Sequence, residues 1–83
     1  MLTNTMFWQA IDNLAAAHKI SCSRMAQISG LDLTALNKSK RVGVDGKPRW
    51  MSVGSLVKIM NAMNTSWADF VQYFPAEYDS DRR

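Results

Sequence analysis

Apolar residues along the chain recur at the three- and four-residue steps of an α-helix, and this pattern predicts five short helices. Phe7, Ala10, Ile11, Leu14 and His18 fall on one face of a helix over residues 5–18, which Thr3 or Thr5 is placed to cap. Ser21, a favourable N-cap, opens a second helix carrying Met25, Ala26 and Ile28, and Gly30 supplies the left-handed residue that ends it. Asp32 is positioned to cap a third helix, which carries Leu33 and Leu36 and ends in the run Asn37-Lys38-Ser39-Lys40-Arg41. Residues 42–51 break the period, and Asp45-Gly46 followed by Pro48 marks a turn inside a loop or short hairpin. Ser52 caps a fourth helix with the stripe Val53, Leu56, Val57, Met60 and Met63. Ser66 with Asp69 reads as a capping box for a fifth, on which Trp67, Phe70, Val71 and Phe74 share a face until Pro75 stops it.

Five amphipathic helices with brief connections must bury their stripes against one another, so the expected fold is a compact, five-helix, all-α domain over residues 1–75, followed by a polar C-terminal tail at 76–83. Composition agrees: 83 residues, 47% hydrophobic and 20% charged, suffice for one domain with one modest core. The lone cysteine, Cys22, excludes an internal disulfide framework, and with the lone histidine, His18, it is two ligands short of a closed metal site. No cofactor or metal is implied. Cysteine usage, together with the lack of a signal-like or membrane-spanning apolar run, points to a reducing, cytoplasmic setting. Nothing in the arrangement of Ser, His and Asp resembles a nucleophile elbow, so an enzyme is not expected.

Charge narrows the function. The formal net charge of +3 is mild, but Lys38, Lys40, Arg41, Lys47 and Arg49 crowd into positions 38–49, opposed there only by Asp45. Four of the seven acids, Asp69, Glu77, Asp79 and Asp81, lie in the last fifteen positions, which leaves one face or loop positive. The cationic run follows a distinctive spacing: Ala26, then Gly30-Leu31, then Leu36. Two short helices that cross closely need a small residue at the crossing, a residue tolerant of positive φ in the turn, and an apolar residue on the second helix to hold the angle. Such geometry lets the second helix enter a major groove about 12 Å wide.

Residues 6 to about 74 resemble the lambda-repressor-like helix-turn-helix domain of phage-type repressors. The resemblance is carried by Ile28-Ser29-Gly30-Leu31-Asp32, by Leu36-Asn37-Lys38-Ser39-Lys40-Arg41, by Arg49-Trp50 before Ser52, and by Ser55-Leu56 and Lys58-Ile59. It is nearest to the N-terminal domain of regulators that also carry a self-cleaving, peptidase-like C-terminal half, to which these residues have no counterpart. Leu33 stands where such relatives often have proline, and Ser39 where the motif prefers an aliphatic residue. The resemblance implies a sequence-specific, double-stranded DNA-binding transcriptional regulator, acting as a repressor, with the third helix in the major groove and the basic loop 40–49 on phosphates.

Within that reading, Leu33, Thr34, Asn37 and Lys38 are the expected base contacts: Asn pairs with adenine, Lys reaches guanine acceptors, and Thr or Leu touches a thymine methyl. Lys40, Arg41, Lys47 and Arg49 are expected on phosphates, with Arg24 and Gln27 on the backbone that the second helix crosses. Trp50 can stack on nucleic acid or plug the core beneath the loop. A homodimer is expected, at least on DNA, with Trp67, Tyr73, Phe74 and Tyr78 at its interface. Two alternatives use the same scaffold: an antitoxin-like regulator that also binds a protein toxin, and a pure protein-interaction module.

Overall fold

Four serine or threonine hydroxyls start the helices of the computed structural model, which describes residues 2–75. Thr3 Oγ1 accepts from the Met6 amide and opens α1, Asn4–Ala17; Ser21 Oγ accepts from Arg24 and opens α2, Cys22–Ile28. Ser52 does the same for α3, Val53–Ala62, and Ser66 for α4, Trp67–Val71. Each hydroxyl satisfies an amide that the helix itself cannot pair.

The first three helices also end alike. Beyond α1, the Lys19 amide donates to Ala16 O and the Ile20 amide to Ala15 O; beyond α2, Gly30 donates to Gln27 O and Leu31 to Ala26 O. Asn64 and Thr65 repeat the pattern on Asn61 O and Met60 O behind α3. These are Schellman closures, and each turns on one left-handed residue: Lys19 at φ 59°, Gly30 at 80° and Asn64 at 51°. The residue after each turn then faces back to the helix it has left, which reverses the chain within a few residues.

The reversed helices enclose one core. Phe7, Ile11 and Leu14 from α1 meet Met25 and Ala26 from α2, Leu36 from the following segment, Leu56, Ile59, Met60 and Met63 from the α3 region, and Phe70 from α4. Phe70 links the two ends of the chain, lying edge-on to Phe7 at 6.2 Å and to Phe74 at 5.4 Å. The Asn13 side-chain amide donates to Tyr73 O at 2.7 Å and ties the C-terminal turn to α1. No helix among the described residues is long and apolar enough to cross a membrane.

Three expectations are corrected. The third helix does not form over residues 32–41: a turn at 33–36 is followed by Asn37 in extended backbone (φ −64°, ψ 150°) and by a short 3-10 helix, Lys38–Arg41. The described fold therefore has four α-helices and not five. At the break, Leu36 O accepts from the Arg41 guanidinium at 3.0 Å, while the Lys40 amide bonds Asn37 O, three residues back. A side chain has taken the carbonyl that an α-helix would give to Lys40. The second correction is a rotation of α3, whose buried face is Leu56, Ile59, Met60 and Met63, with Val53 and Val57 turned outward. The third is His18, which caps α1 in an exposed position and not on the apolar face.

The turn at 43–47 is a tight hairpin, as Asp45-Gly46 foretold. The Gly46 amide donates to Gly43 O, the Gly43 amide to Lys47 O, and Gly46 takes φ 78°, which is a type I turn closed by a left-handed glycine. Val42 and Pro48 face each other in an isolated antiparallel bridge.

A Cβ built on Gly30 meets no atom within 4 Å, so its need for glycine is conformational alone. Gly30→Ala is expected to cost about 1 kcal/mol and Lys19→Gly to stabilise by about 0.5–1 kcal/mol, because the left-handed region penalises any Cβ. Urea unfolding at constant slope measures both; equal midpoints for the two variants would contradict the closures described.

Candidate nucleic-acid interface

One face of α1 carries Asn4, Trp8 and Asp12 at four-residue spacing, and this stripe holds the whole basic region in place. Asp12 grips Arg41 through two bonds, Nη1 to Oδ2 at 3.0 Å and Nη2 to Oδ1 at 2.7 Å. The guanidinium carbon lies 4.8 Å from the centre of the Trp8 ring. Eight residues later, Arg49 O accepts from Trp8 Nε1 at 2.9 Å and from the Asn4 side-chain amide. The Arg49 amide closes the frame by donating to Arg41 O at 2.9 Å. Both ends of the segment 41–49 are thus fixed to one helix.

Arg41 is consequently withdrawn from the phosphate-contacting set. Its side chain is 12% exposed, and its Nη1 and Nη2 groups donate to Asp12 and, from Nη2, to Leu36 O. Its Nε is buried without a hydrogen-bond partner among the described residues, and moving the side chain outward would break the Nη–carboxylate pair with Asp12. The bonded guanidinium holds the Asp12 carboxyl below its ordinary range, against a smaller opposing effect of burial. Asp12 in turn keeps Arg41 charged, and burial pushes the Cys22 thiol up, reinforced by the bond it donates to Asp12 Oδ1 at 3.3 Å. Cys22 is a packed, protonated thiol in this cluster. No group of three or more His, Cys, Asp or Glu side chains fit to hold a metal occurs among the described residues.

The remaining candidates stand at the surface. Leu33, Thr34, Asn37 and Lys38 are all exposed, with Leu33 half uncovered, around the turn and the 3-10 helix. Lys40, Lys47 and Arg49 are exposed and have no ion-pair partner among the described residues. Asp45, the sole acid of this stretch, spends its carboxylate on the Lys47 amide at 3.0 Å, which tightens the hairpin. On α2, Arg24 and Gln27 are exposed and bonded to each other at 2.9 Å. Lys40 and Arg49 line one open groove with Trp50; Lys38 lies beside Arg41 and Asp12 along another. Trp50 neither plugs the core nor stands free: it leans on Phe7 at 5.7 Å and keeps 55% of its surface exposed.

The expected dimer surface is only partly available. Tyr73 and Phe74 pack against the core, and Tyr78 lies outside the described residues. Trp67 is 56% exposed and is joined by Val53, Val57 and Val71, which the sequence pattern assigned inward. Val57 and Trp67 line a shallow groove between α3 and α4.

Arg41→Ala leaves the Asp12 carboxylate half-buried and unpaired, and is expected to cost about 2 kcal/mol once solvent screening at Asp12 is allowed for. Arg41→Lys should restore little of it, since an ammonium cannot make the two-pronged, ring-stacked contact. Because the Asp12 pKa is lowered in the folded state, its stabilisation is complete above the ordinary carboxylate range and is lost as pH falls from about 4. Asp12→Asn should flatten that acid limb in a pH series of unfolding curves; an unchanged limb would show the pair to be energetically idle. Comparison of the chain with family models, with curated proteins and with solved structures finds no match in any of the three.

Proposed function

We propose that this protein is a sequence-specific, double-stranded DNA-binding transcriptional regulator, a repressor related to the lambda-repressor-like group in which a turn and a 3-10 helix stand where that group has its recognition helix, and not an enzyme. In this reading α2 crosses the DNA backbone through Arg24 and Gln27, and the segment after Gly30 presents Leu33, Thr34, Asn37 and Lys38 to base edges. Lys40, Lys47 and Arg49 grip phosphates. The observation that carries the reading is the set of exposed cations at 38, 40, 47 and 49, none with an ion-pair partner among the described residues, in and beside a segment whose two ends, Arg41 and Arg49, are bonded to α1. Cations on a fixed frame match a fixed phosphate spacing, whereas a solvated charged face needs no such anchoring.

Full specificity needs two modules about 34 Å apart on a two-fold site, and the homodimer proposed here uses Trp67 with Val53, Val57 and Val71. The same apolar patch favours the second reading, a regulator of antitoxin type whose α3–α4 face binds a different protein.

Mobility-shift titrations over a salt series test the first reading. Four phosphates neutralised per protomer give a slope of about −3.6 in log affinity against log salt, at about −0.9 per contact. Lys47→Ala should weaken all duplexes alike and reduce the slope by about one contact, while Lys38→Ala should change the sequence recovered from a random duplex pool. Absence of any duplex complex at low salt would remove DNA as the partner.

A further inference from the structure

The groove beside the Arg49–Trp50 peptide sets beside Lys40 and Arg49 an apolar lining and an exposed indole that contact with duplex phosphates leaves unused. It encloses about 470 Å³, within the range of small-ligand sites. Leu31, Ala35 and Leu36 contribute apolar lining, Trp50 lines the same groove, and Lys40 and Arg49 supply two positive charges with no acid in the lining. Trp50 leans on Phe7 and leaves more than half of its surface open. Arg49 is prepared in the same way: its carbonyl and amide are both bonded, to Trp8, Asn4 and Arg41, while its side chain has no ion-pair partner among the described residues. An indole with an open surface next to two unpaired cations suits a flat ring that carries one anionic group. Rings stack on indole with little regard to sequence, and phosphate takes the charge-assisted bonds of Arg and Lys.

We propose that this groove binds a single nucleotide unit, its base stacked on Trp50 and its phosphate held by Lys40 and Arg49. The unit comes either from a free mononucleotide or from an unpaired position in a single strand; the chemistry recognised is the same. The site does not depend on duplex binding. Because Leu31, Ala35 and Leu36 line it and flank Leu33 and Thr34, which are proposed to read bases, occupancy would bear directly on that segment.

The test uses the full chain, labelled with ¹⁵N, and follows the indole N–H signals of Trp8, Trp50 and Trp67 during titration with 5′-AMP. Trp67 is a control within the molecule, since it is as exposed as Trp50 but lines a different groove, with no lysine or arginine. The Trp50 signal should shift saturably while that of Trp67 stays still, and adenosine should bind about tenfold more weakly than AMP. Trp50→Ala should weaken AMP binding about tenfold, and Arg49→Ala, which leaves the aromatic wall intact, several-fold. A ten-residue single-stranded oligodeoxyadenylate, titrated in parallel, identifies the source: tighter binding than AMP indicates a strand, equal binding a free nucleotide. Equal responses at Trp50 and Trp67, equal binding of adenosine and AMP, or no saturable change at Trp50 would each overturn the proposal. A chain that retards no duplex yet binds AMP at Trp50 keeps this site and loses the function proposed above; one that binds duplex without an AMP response does the reverse.

Discussion

A guanidinium taken out of water costs several kcal/mol unless its partners are placed to meet it, and the Nη groups of Arg41 find theirs on α1 and on its own preceding turn. Much of the molecule follows from that requirement. Asp12 must face the segment after α2, which fixes the rotation of α1 and puts Trp8 and Asn4 on the same side. Trp8 then offers its ring to the cation and its N–H to Arg49 O, so a single side chain serves both ends of the basic segment. Because Arg41 also takes the Leu36 carbonyl, the chain from 33 to 41 is held in a turn and a 3-10 helix where propensity alone favours a continuous α-helix.

Division of labour among the cations is the result. One of the five basic residues between 38 and 49 is structural, and the others remain outside. The distinction rests on geometry: Arg41 has a carboxylate within reach across 29 positions of sequence, whereas Asp45, two positions before Lys47, is engaged with that residue's own backbone. Cys22 belongs to the same cluster as a packed thiol, which accounts for the lone cysteine without any redox chemistry.

Local signals were legible in the sequence and tertiary ones were not. Thr3, Ser21, Ser52 and Ser66 cap as their residue types indicate, Gly30 takes its left-handed turn, and Asp45-Gly46 makes its hairpin, because each answers to neighbours within four positions. The face of α3 was ambiguous. Val53-Leu56-Val57-Met60 and Leu56-Ile59-Met60-Met63 are both helical stripes, rotated slightly from one another, and only the opposing surface chooses between them. For the candidate site, exposure of Leu33, Thr34, Asn37, Lys38, Lys40, Lys47 and Arg49 matched expectation, while the fate of Arg41 depended on Asp12. Periodicity carries no information about a partner so distant along the chain. The closures after α1 and α3 were missed for a simpler reason, since lysine and asparagine announce a left-handed turn less clearly than glycine.

The hairpin between Arg41 and Arg49 has its two feet bonded to each other and to α1, and only Gly43, Asp45, Gly46 and Lys47 bond within its tip. The tip itself, Val44 to Gly46, is bonded only within the hairpin in the hydrogen bonds described. Residues can be inserted, removed or exchanged there at little thermodynamic penalty, since a longer loop adds only a slowly rising closure entropy. Such a position accepts changes in the length and chemistry of the projection while the helices beneath it keep their packing.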